Sequence, residues 1–418
     1  MKVVIPTSTF PSSPTDPVPR FVEDQVKEFA KLDTDLEMHV LIPHNSYGDP
    51  VANVVEQDTH TEHRYHYAWP NSLEKLTGRA ILPALRQNPL RYLLIPGLLL
   101  SQQRAMMKLC RQVQPDVIYC HWFMPQAING YRVSKKLGIP LVFTTHAADV
   151  SVLKKVPMSH KLVARVLEHA YRYTAVSRRT ASKLEAAVDP KLWKSQFKKK
   201  LEILPMGTHL KEQTGGSDGH KKVLKKHGVN TDEKNIFCIG RISEKKGFKY
   251  LVEAYSKLST KQQAEYGLVI AGDGELLDNL KAQVKDLGIE DRVTFTGYVQ
   301  GELKDALFAE ADVFAMPSIV EGGDSEGLPV ALMEALSARK LVIATNVSGA
   351  EEIIDEKSGF LINQKSSDEI VDALQRIMKL SNDKRDSIAD AGYKLAKQFD
   401  WPLVAEQHLK ILRKAAKS

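Results

Sequence analysis

The sequence predicts an α/β protein with two doubly wound domains, and three observations support this fold class. Short apolar runs alternate with longer amphipathic stretches along nearly all of the 418 residues. Such an alternation of strands and helices produces parallel sheets covered on both faces. The length is typical of two or three domains of about 150 residues each. A polar, glycine-rich stretch between residues 205 and 235 separates two similar halves and is the best linker candidate.

Six apolar runs in residues 1–205 predict buried parallel strands, and amphipathic stretches between them predict helices. The strands are Val3–Ile5, Met38–Ile42, Val117–Tyr119, Pro140–Thr144, Tyr173–Val176 and Leu201–Leu204. The helices are Phe21–Leu32, Gln126–Leu137 and His160–Ala170. This order predicts a first doubly wound domain over residues 1–205.

Residues 206–400 repeat the pattern and predict a second domain of the same class. The strands are Ile236–Ile239, Leu268–Ile270, Val293–Phe295, Val313–Met316, Leu341–Ile343 and Phe360–Ile362. The helices are Gly247–Leu258, Glu275–Asp286, Gly301–Ala309 and Pro329–Ala338. Residues 401–418 form an amphipathic tail. Because ligands of such sheets bind beyond the carboxyl ends of the strands, we expect the two domains to face each other across a cleft.

The composition argues against several classes of protein. Hydrophobic residues make up 43% and charged residues 26% of the chain, as in ordinary soluble globular proteins. Three widely spaced cysteines, Cys110, Cys120 and Cys238, exclude a disulfide framework and favour a reducing compartment. The longest apolar run, Tyr92 to Leu100, is far shorter than the about 20 residues of a membrane-spanning helix. The apolar run after Met1 is also too short for a signal peptide, so we expect a cytoplasmic protein.

The first candidate site follows the strand Ile236–Ile239 and contains Gly240, Arg241, Lys246 and Gly247. A glycine at the end of a strand lets the backbone approach a ligand. Arginine and lysine beside the start of a helix favour a phosphate. The pattern indicates a diphosphate site that differs from a Walker loop. An exposed basic turn is the alternative interpretation.

Two more glycine-containing loops follow later strands. Gly272-Asp273-Gly274 indicates a tight turn from strand to helix, which ordinary turn chemistry would also explain. The loop 318–329 ends at Pro329, a residue suited to the first turn of a helix. Free backbone N–H groups at such a helix start can hold an anion.

Two glutamates accompany the second of these loops. Glu326 precedes the helix, and Glu334 lies on its second turn among apolar neighbours. A carboxylate in that position is costly to bury without a partner, and ribose hydroxyls would be good donors to it. A capping acid combined with a surface glutamate is the alternative.

A fourth signal, Thr145-His146-x-x-Asp149, follows the strand Pro140–Thr144. A histidine at the carboxyl end of a parallel strand lies where α/β proteins form their sites, and its imidazole can donate or accept a hydrogen bond near neutral pH. The alternative is a histidine with a purely structural hydrogen bond.

In combination, these motifs resemble the retaining glycosyltransferases of family 4, and the resemblance covers nearly the whole chain. The residues that carry it are Gly240-Arg241, Lys246-Gly247, Gly272-Asp273-Gly274, Glu326, Glu334 and Thr145-His146-x-x-Asp149. The resemblance implies the GT-B fold, with two Rossmann-like domains facing a central cleft and a last helix, from Trp401, that crosses back to the first domain. Similar members act on bacterial capsule, exopolysaccharide, lipopolysaccharide and teichuronic-type polymers.

The family implies metal-independent transfer of a sugar, with retention at the anomeric carbon. The donor would be a nucleoside-diphosphate sugar, with UDP or GDP expected, the acceptor a glycan or a lipid-linked glycan, and no further cofactor is implied. By this resemblance Arg241 and Lys246 would neutralise the leaving diphosphate. Glu326 would face the donor sugar, and His146 would contact the sugar or the acceptor near the reacting centre. The remaining donor-binding residues would be Gly240, Gly272, Gly327, Leu328, Val330 and Glu334.

Two positions depart from the family pattern. Many members have a Gly-Gly pair after the first strand, whereas the loop from residue 7 to residue 20 has no glycine, so that contact is not carried over. Ala147 follows His146 where glycine is common, which leaves less room beside the ring.

Other functions remain as alternatives. A nucleotide-sugar epimerase of the same fold would need no acceptor, and a non-catalytic scaffold would bind other transferases. An NAD-dependent oxidoreductase is disfavoured because no Gly-x-Gly-x-x-Gly follows the first strand. We expect no metal site, since Asp33-Thr34-Asp35 fits a polar turn and His63 and His66 have only Glu62 beside them. No nucleic-acid-binding motif is present.

Charge is distributed unevenly along the chain. Residues 1–205 have a net charge of +10, and residues 206–418 have a net charge of −3. The segment 64–112 contains eight lysines and arginines and one acidic residue, Glu74, together with aromatic residues and a leucine-rich run. This mixture predicts peripheral attachment to an anionic inner-membrane surface, where a lipid-linked acceptor would be presented. A pair of ordinary amphipathic helices is the alternative.

Overall fold

The computed structural model describes residues 1–13, 16, 18–47, 51–77, 81–146, 149, 159–210, 217–321, 330–347 and 349–418. Contacts among these residues divide the chain into two compact units. Unit 1 comprises Met1–Gly207 and Trp401–Ser418, and unit 2 comprises Thr208–Asp400.

Unit 1 contains an eight-stranded sheet with the order β3-β4-β2-β1-β5-β6-β7-β8. The strands are β1 (Lys2–Pro6), β2 (Glu37–Pro43), β3 (Val54–Glu56), β4 (Thr61–Tyr65), β5 (Val117–His121), β6 (Leu141–Thr145), β7 (Arg172–Ala175) and β8 (Leu201–Ile203). The edge strand β3 pairs antiparallel with β4, and the described pairs of the other strands are parallel. The strand order reverses between β1 and β5, which is where doubly wound sheets bind ligands.

Helices cover both faces of this sheet. Those of unit 1 include Phe21–Leu32, Ile81–Gln87, Ile95–Val113, Ile128–Leu137, Ser159–His169, Arg178–Glu185 and Trp401–Ala415. The last of these packs beside Phe21–Leu32, where Leu409 and Leu412 join Val3 and Phe29 in one buried cluster. The C-terminal helix therefore completes the core of unit 1 rather than that of unit 2.

Unit 2 contains a six-stranded sheet whose described strand pairs are parallel. The strands are β9 (Lys234–Ile239), β10 (Tyr266–Ala271), β11 (Val293–Gly297), β12 (Val313–Met316), β13 (Leu341–Thr345) and β14 (Phe360–Ile362). The order β11-β10-β9-β12-β13-β14 is the 3-2-1-4-5-6 order of a Rossmann sheet. The predicted fold class, with a doubly wound sheet in each half, is confirmed.

The helices of unit 2 lie on both faces of its sheet, in two buried apolar clusters. They include Asp218–Lys226, Phe248–Ser256, Thr260–Glu265, Leu277–Asp286, Gly301–Glu310, Val330–Ser337, Ser367–Met378 and Asn382–Ala396. Strands β10, β12 and β13 are buried along their whole length because both faces of the sheet are covered.

The strands β3 and β4 are absent from the sequence prediction, and their composition explains why. Strand β4 reads Thr-Glu-His-Arg-Tyr and lacks the apolar run that a buried strand usually shows. Inside the unit, the Arg64 guanidinium donates to the Glu62 carboxylate at 2.6 Å and to the Pro11 carbonyl oxygen at 2.9 Å. This pairing compensates for the burial of two charges, which the sequence pattern would predict to be exposed.

Within the described part of the chain, no helix has both the length and the apolar character that crossing a membrane requires.

Candidate functional site

Two loops of unit 2 that belong to the predicted donor-site motifs lie where the order of its strands reverses. Strands β9 and β12 are neighbours there, and their carboxyl ends lead into the loops 240–247 and 317–321. The two loops are joined directly, because the Ile319 N–H donates to the Lys245 carbonyl oxygen at 2.8 Å. Such a switch point is the usual ligand position of a doubly wound sheet.

Gly240 and Gly272 hold the ends of β9 and β10 close together. Both have positive φ angles, 154° and 137°, and a methyl group on Gly272 would collide with the Gly240 carbonyl oxygen. The Gly240 N–H donates to the Ala271 carbonyl at 3.0 Å, and the Gly272 N–H donates to the Gly297 carbonyl at 2.7 Å. The close backbone approach at these two glycines is therefore made to a neighbouring loop, with their amide groups bonded inside the unit.

The two predicted cations lie on the loop that follows β9. Arg241 is exposed, and its Nε donates to the Glu275 carboxylate at 3.1 Å. The Lys246 side chain folds back over Gly240. A β-carbon on residue 240 would lie only 2.8 Å from the Cε atom of Lys246. The glycine thus provides the space in which the lysine side chain lies. Both positive charges are attached to one loop at the carboxyl edge of the sheet.

Glu334 lies on the helix Val330–Ser337 and has a partner that the sequence motifs did not reveal. The Lys304 ammonium, from the helix Gly301–Glu310, donates to the Glu334 carboxylate at 2.6 Å. The two side chains remain 30% and 23% exposed, so the carboxylate is accessible to a ligand as well. Lys304 lies thirty positions earlier in the chain, outside every motif, and only the packing of two helices brings it there.

The predicted contacts of Glu326, Gly327 and Leu328 fall on a stretch outside the described residues. Val330, the first described residue after that stretch, is exposed at the beginning of its helix. The assignments of these four residues to a donor site stay predictions.

In unit 1, His146 follows β6, and Asp149 fixes the backbone around it. The Asp149 carboxylate accepts hydrogen bonds from the N–H of His146 at 3.2 Å and from the Thr145 hydroxyl at 3.1 Å. Its other oxygen accepts from the Phe123 N–H. Burial raises the pKa of the Asp149 carboxyl, and these donors act in the opposite direction.

The His146 ring lies among other rings and is partly exposed. Its centroid is 4.8 Å from that of Trp122 and 5.1 Å from that of Phe21. His146 Nε2 lies 3.2 Å from Nδ1 of the buried His121. Burial, with the nearby His408, lowers the pKa of His146 to about 3, so the ring is neutral at physiological pH.

Comparison with known families gives the assignment. Residues 20–193 match the family described as Glycosyltransferase Family 4, and residues 220–395 match the family described as Glycosyl transferases group 1. These two matches occupy most of unit 1 and nearly all of unit 2. The chain is a family 4 glycosyltransferase. Of the alternatives above, neither an epimerase nor a non-catalytic scaffold is favoured.

Individual relatives agree with this family. The glycosyltransferase is 28% identical to the putative teichuronic acid biosynthesis glycosyltransferase TuaC of Bacillus subtilis, over 90% of this chain and 89% of that one. It is 26% identical to the amylovoran biosynthesis glycosyltransferase AmsK of Erwinia amylovora, over 100% of both chains. The structure of Anabaena HepE in complex with UDP-glucose has the same fold, with a TM-score of 0.68, 18% identity and coverage of 99% and 100%.

Proposed function

We propose that this glycosyltransferase transfers a sugar, with retention of anomeric configuration and without a metal, from a nucleoside-diphosphate sugar to a glycan or lipid-linked acceptor. The product would be part of a cell-surface polysaccharide. Relatives named for teichuronic acid and amylovoran biosynthesis support the polymer class. UDP or GDP is the expected nucleotide, and the cytoplasm, at the inner face of the membrane, is the expected location.

The observation that carries the donor assignment is the pair of cations at the strand switch point of unit 2. Departure of a nucleoside diphosphate develops negative charge on the leaving phosphate oxygen. Arg241 and Lys246, held by one loop, would stabilise that charge without a divalent ion. The Val330 N–H, at the start of its helix, is one of the groups that lack a partner within a helix and would add a donor toward the phosphates.

The remaining roles follow from the family resemblance and from chemistry. Glu334 would accept hydrogen bonds from the ribose hydroxyls, with Lys304 orienting its carboxylate. Glu326 would face the donor sugar. His146, neutral at physiological pH, would act as a hydrogen-bonding group rather than as a cation.

Transfer assays test the reaction. The enzyme is incubated with UDP- and GDP-sugars, with and without acceptor glycans, in the presence of a chelator. We expect release of nucleoside diphosphate that depends on the acceptor and not on metal, and a product whose anomeric coupling constant in proton NMR matches that of the donor. A product of inverted configuration, or one that requires a divalent ion, contradicts the proposal.

A surface of unit 1 supports the membrane part of the proposal. Trp69, Leu90 and Leu93 are 90%, 73% and 79% exposed. The first turn of the helix Ile95–Val113 lies against the segment that leads to Trp69, because Gly97 is next to the carbonyl oxygen of Tyr67. We call these exposed apolar residues, together with Tyr92 and Leu100, the apolar tip.

Positive charge continues from the apolar tip along the same helix. Arg104, Lys108 and Arg111 are exposed further along Ile95–Val113. Residues 75–115 contain no aspartate or glutamate, and the preceding Glu74 is buried, where it accepts from the Tyr67 N–H at 2.6 Å. Apolar side chains next to these exposed cations match the interface of an anionic membrane.

Vesicle co-sedimentation tests this surface. We expect binding to vesicles of phosphatidylglycerol in phosphatidylcholine, weaker binding to phosphatidylcholine alone, and release by high salt, which screens the charges. Leu93→Ser should reduce binding, whereas the matched control Leu403→Ser, an exposed leucine on the C-terminal helix, should not. Equal sedimentation with both kinds of vesicle would remove the membrane from the proposal.

A further inference from the structure

A second histidine, His121, lies beneath His146 and has no role in the assignments above. It is the last residue of β5 and is completely buried. Its Nδ1 is 3.2 Å from Nε2 of His146. Its other nitrogen, Nε2, is also buried and has no hydrogen-bond partner among the described residues.

The groups around this pair keep both rings neutral. Tyr119 and Trp122 lie beside His121, with ring centroids 4.8 Å and 6.1 Å away. The titratable neighbours of the pair among the described residues include His408 and Tyr119. The Asp149 carboxylate beside His146 accepts hydrogen bonds from the N–H groups of His146 and Phe123 and from the Thr145 hydroxyl. Burial, with the neighbouring His146 and His408, holds the pKa of His121 well below its ordinary value.

Two neutral imidazoles share a hydrogen bond only if one of them carries its proton on the bonded nitrogen. If His146 donated from Nε2, the proton of His121 would be on its own Nε2, as a buried N–H with no acceptor. If His121 donates from Nδ1, the buried Nε2 of His121 is only a bare lone pair. Orphaned buried N–H groups are rarer in proteins than under-satisfied acceptors, so the second arrangement is favoured.

We propose that His121 is a positioning residue that donates from Nδ1 to Nε2 of His146 and thereby fixes His146 in the tautomer with its proton on Nδ1. Among the described residues the His146 ring has no other hydrogen-bond partner, so this N–H is available to a substrate. The substrate atom, an oxygen of the donor sugar or of its leaving phosphate, rests on the proposed function. The tautomer itself does not.

In this tautomer His146 acts in the reaction as a neutral N–H donor of fixed direction. Such a donor stabilises negative charge on an oxygen without transferring a proton. The sequence motif includes His146 but gives no sign of His121, which lies 25 residues earlier at the end of the neighbouring strand.

NMR of the histidine ring nitrogens tests the tautomer directly. The full-length protein is labelled with nitrogen-15 in histidine, and the His146 signals are identified by their loss in His146→Gln. We expect His146 of the unaltered protein to show a protonated Nδ1 and an unprotonated Nε2. The opposite pattern, with the proton on Nε2, overturns the proposal.

Two substitutions of His121 test its effect on turnover. The Asn side chain places an amide N–H near the position of the histidine Nδ1, whereas Leu removes the donor. We expect His121→Leu to lower kcat about tenfold, the scale of one lost hydrogen bond, with little change in KM for the donor. His121→Asn should stay within about threefold of the original enzyme.

The two outcomes separate the positioning role from the proposed function. His121→Leu with full kcat, or His121→Asn no better than His121→Leu at equal melting temperature, contradicts the positioning role. If the unaltered enzyme transfers no sugar from any nucleotide donor, the proposed function fails, while the NMR result still decides the tautomer.

Discussion

Replacing Glu334 by glutamine separates ligand recognition from stability at the proposed ribose position. The variant keeps the shape of the side chain and removes its charge. Its partner Lys304, at 2.6 Å, has a side chain that is 30% exposed and can turn to water once the pair is lost. The folding free energy should therefore fall by at most about 1 kcal/mol, as for other solvent-accessible ion pairs.

Nucleotide affinity should change far more than stability does. Hydrogen bonds from ribose hydroxyls to a carboxylate are charge-assisted, and losing such a bond costs about 1.5–3 kcal/mol. This corresponds to roughly a 10- to 150-fold increase in Kd. Isothermal titration with the nucleoside diphosphate that the enzyme prefers measures this increase. The matched control is Glu302→Gln, an exposed glutamate on the same helix as Lys304, which should bind like the unaltered protein.

A deoxynucleotide makes the test specific to the ribose. The 2′- or 3′-deoxy nucleoside diphosphate should bind the unaltered protein more weakly than the parent nucleotide does. The Glu334→Gln variant should bind the deoxynucleotide almost as well as it binds the parent nucleotide, since the carboxylate that accepts from this hydroxyl is already replaced. If removal of the hydroxyl weakens nucleotide affinity by the same factor in both proteins, Glu334 does not contact the ribose and the reasoning is refuted.

Three further predictions concern stability, each measured by urea unfolding. Gly272→Ala should be strongly destabilised, because φ is 137° and the added methyl meets the Gly240 carbonyl, whereas Gly288→Ala, which has open space, should cost less. Arg64→Met should cost about 3–5 kcal/mol by leaving Glu62 buried without its cation, and a cost below about 1 kcal/mol would contradict a compensating pair. Burial lowers the pKa of His408 in the folded protein to about 4, below its ordinary value of 6.5. The stability contributed by the neutral ring is therefore complete above pH 6.5 and decreases toward pH 4, because the unfolded chain binds the proton first. A His408→Gln variant with the same pH dependence of stability would argue against this origin.

The elements of the sheets could be predicted to the extent that their residues are apolar. The runs before Gly240 and Gly272 are continuous hydrophobic segments, and they are strands β9 and β10. Strand β4 could not be recognised because Glu62 and Arg64 satisfy each other only in three dimensions. Polar residues in a buried strand therefore hide it from a method based on hydrophobic pattern.

The candidate site shows a similar division. Local motifs brought out Arg241, Lys246 and Glu334, because each lies in a segment that follows a strand and leads into a helix. They could not bring out Lys304 or His121, which reach the motif residues from separate elements.

The most direct test of the central claim is the binding of nucleoside diphosphates to Arg241 and Lys246, measured by titration calorimetry with UDP, GDP and their sugars. We expect one nucleotide to bind the unaltered protein, and Arg241→Ala and Lys246→Ala to weaken it at least about tenfold by removing a charge-assisted bond. The matched control Lys249→Ala, an exposed lysine two residues beyond the loop, should retain the original affinity. Equal affinity in all four proteins, or no binding of any nucleotide, would contradict a donor site at this end of the unit 2 sheet.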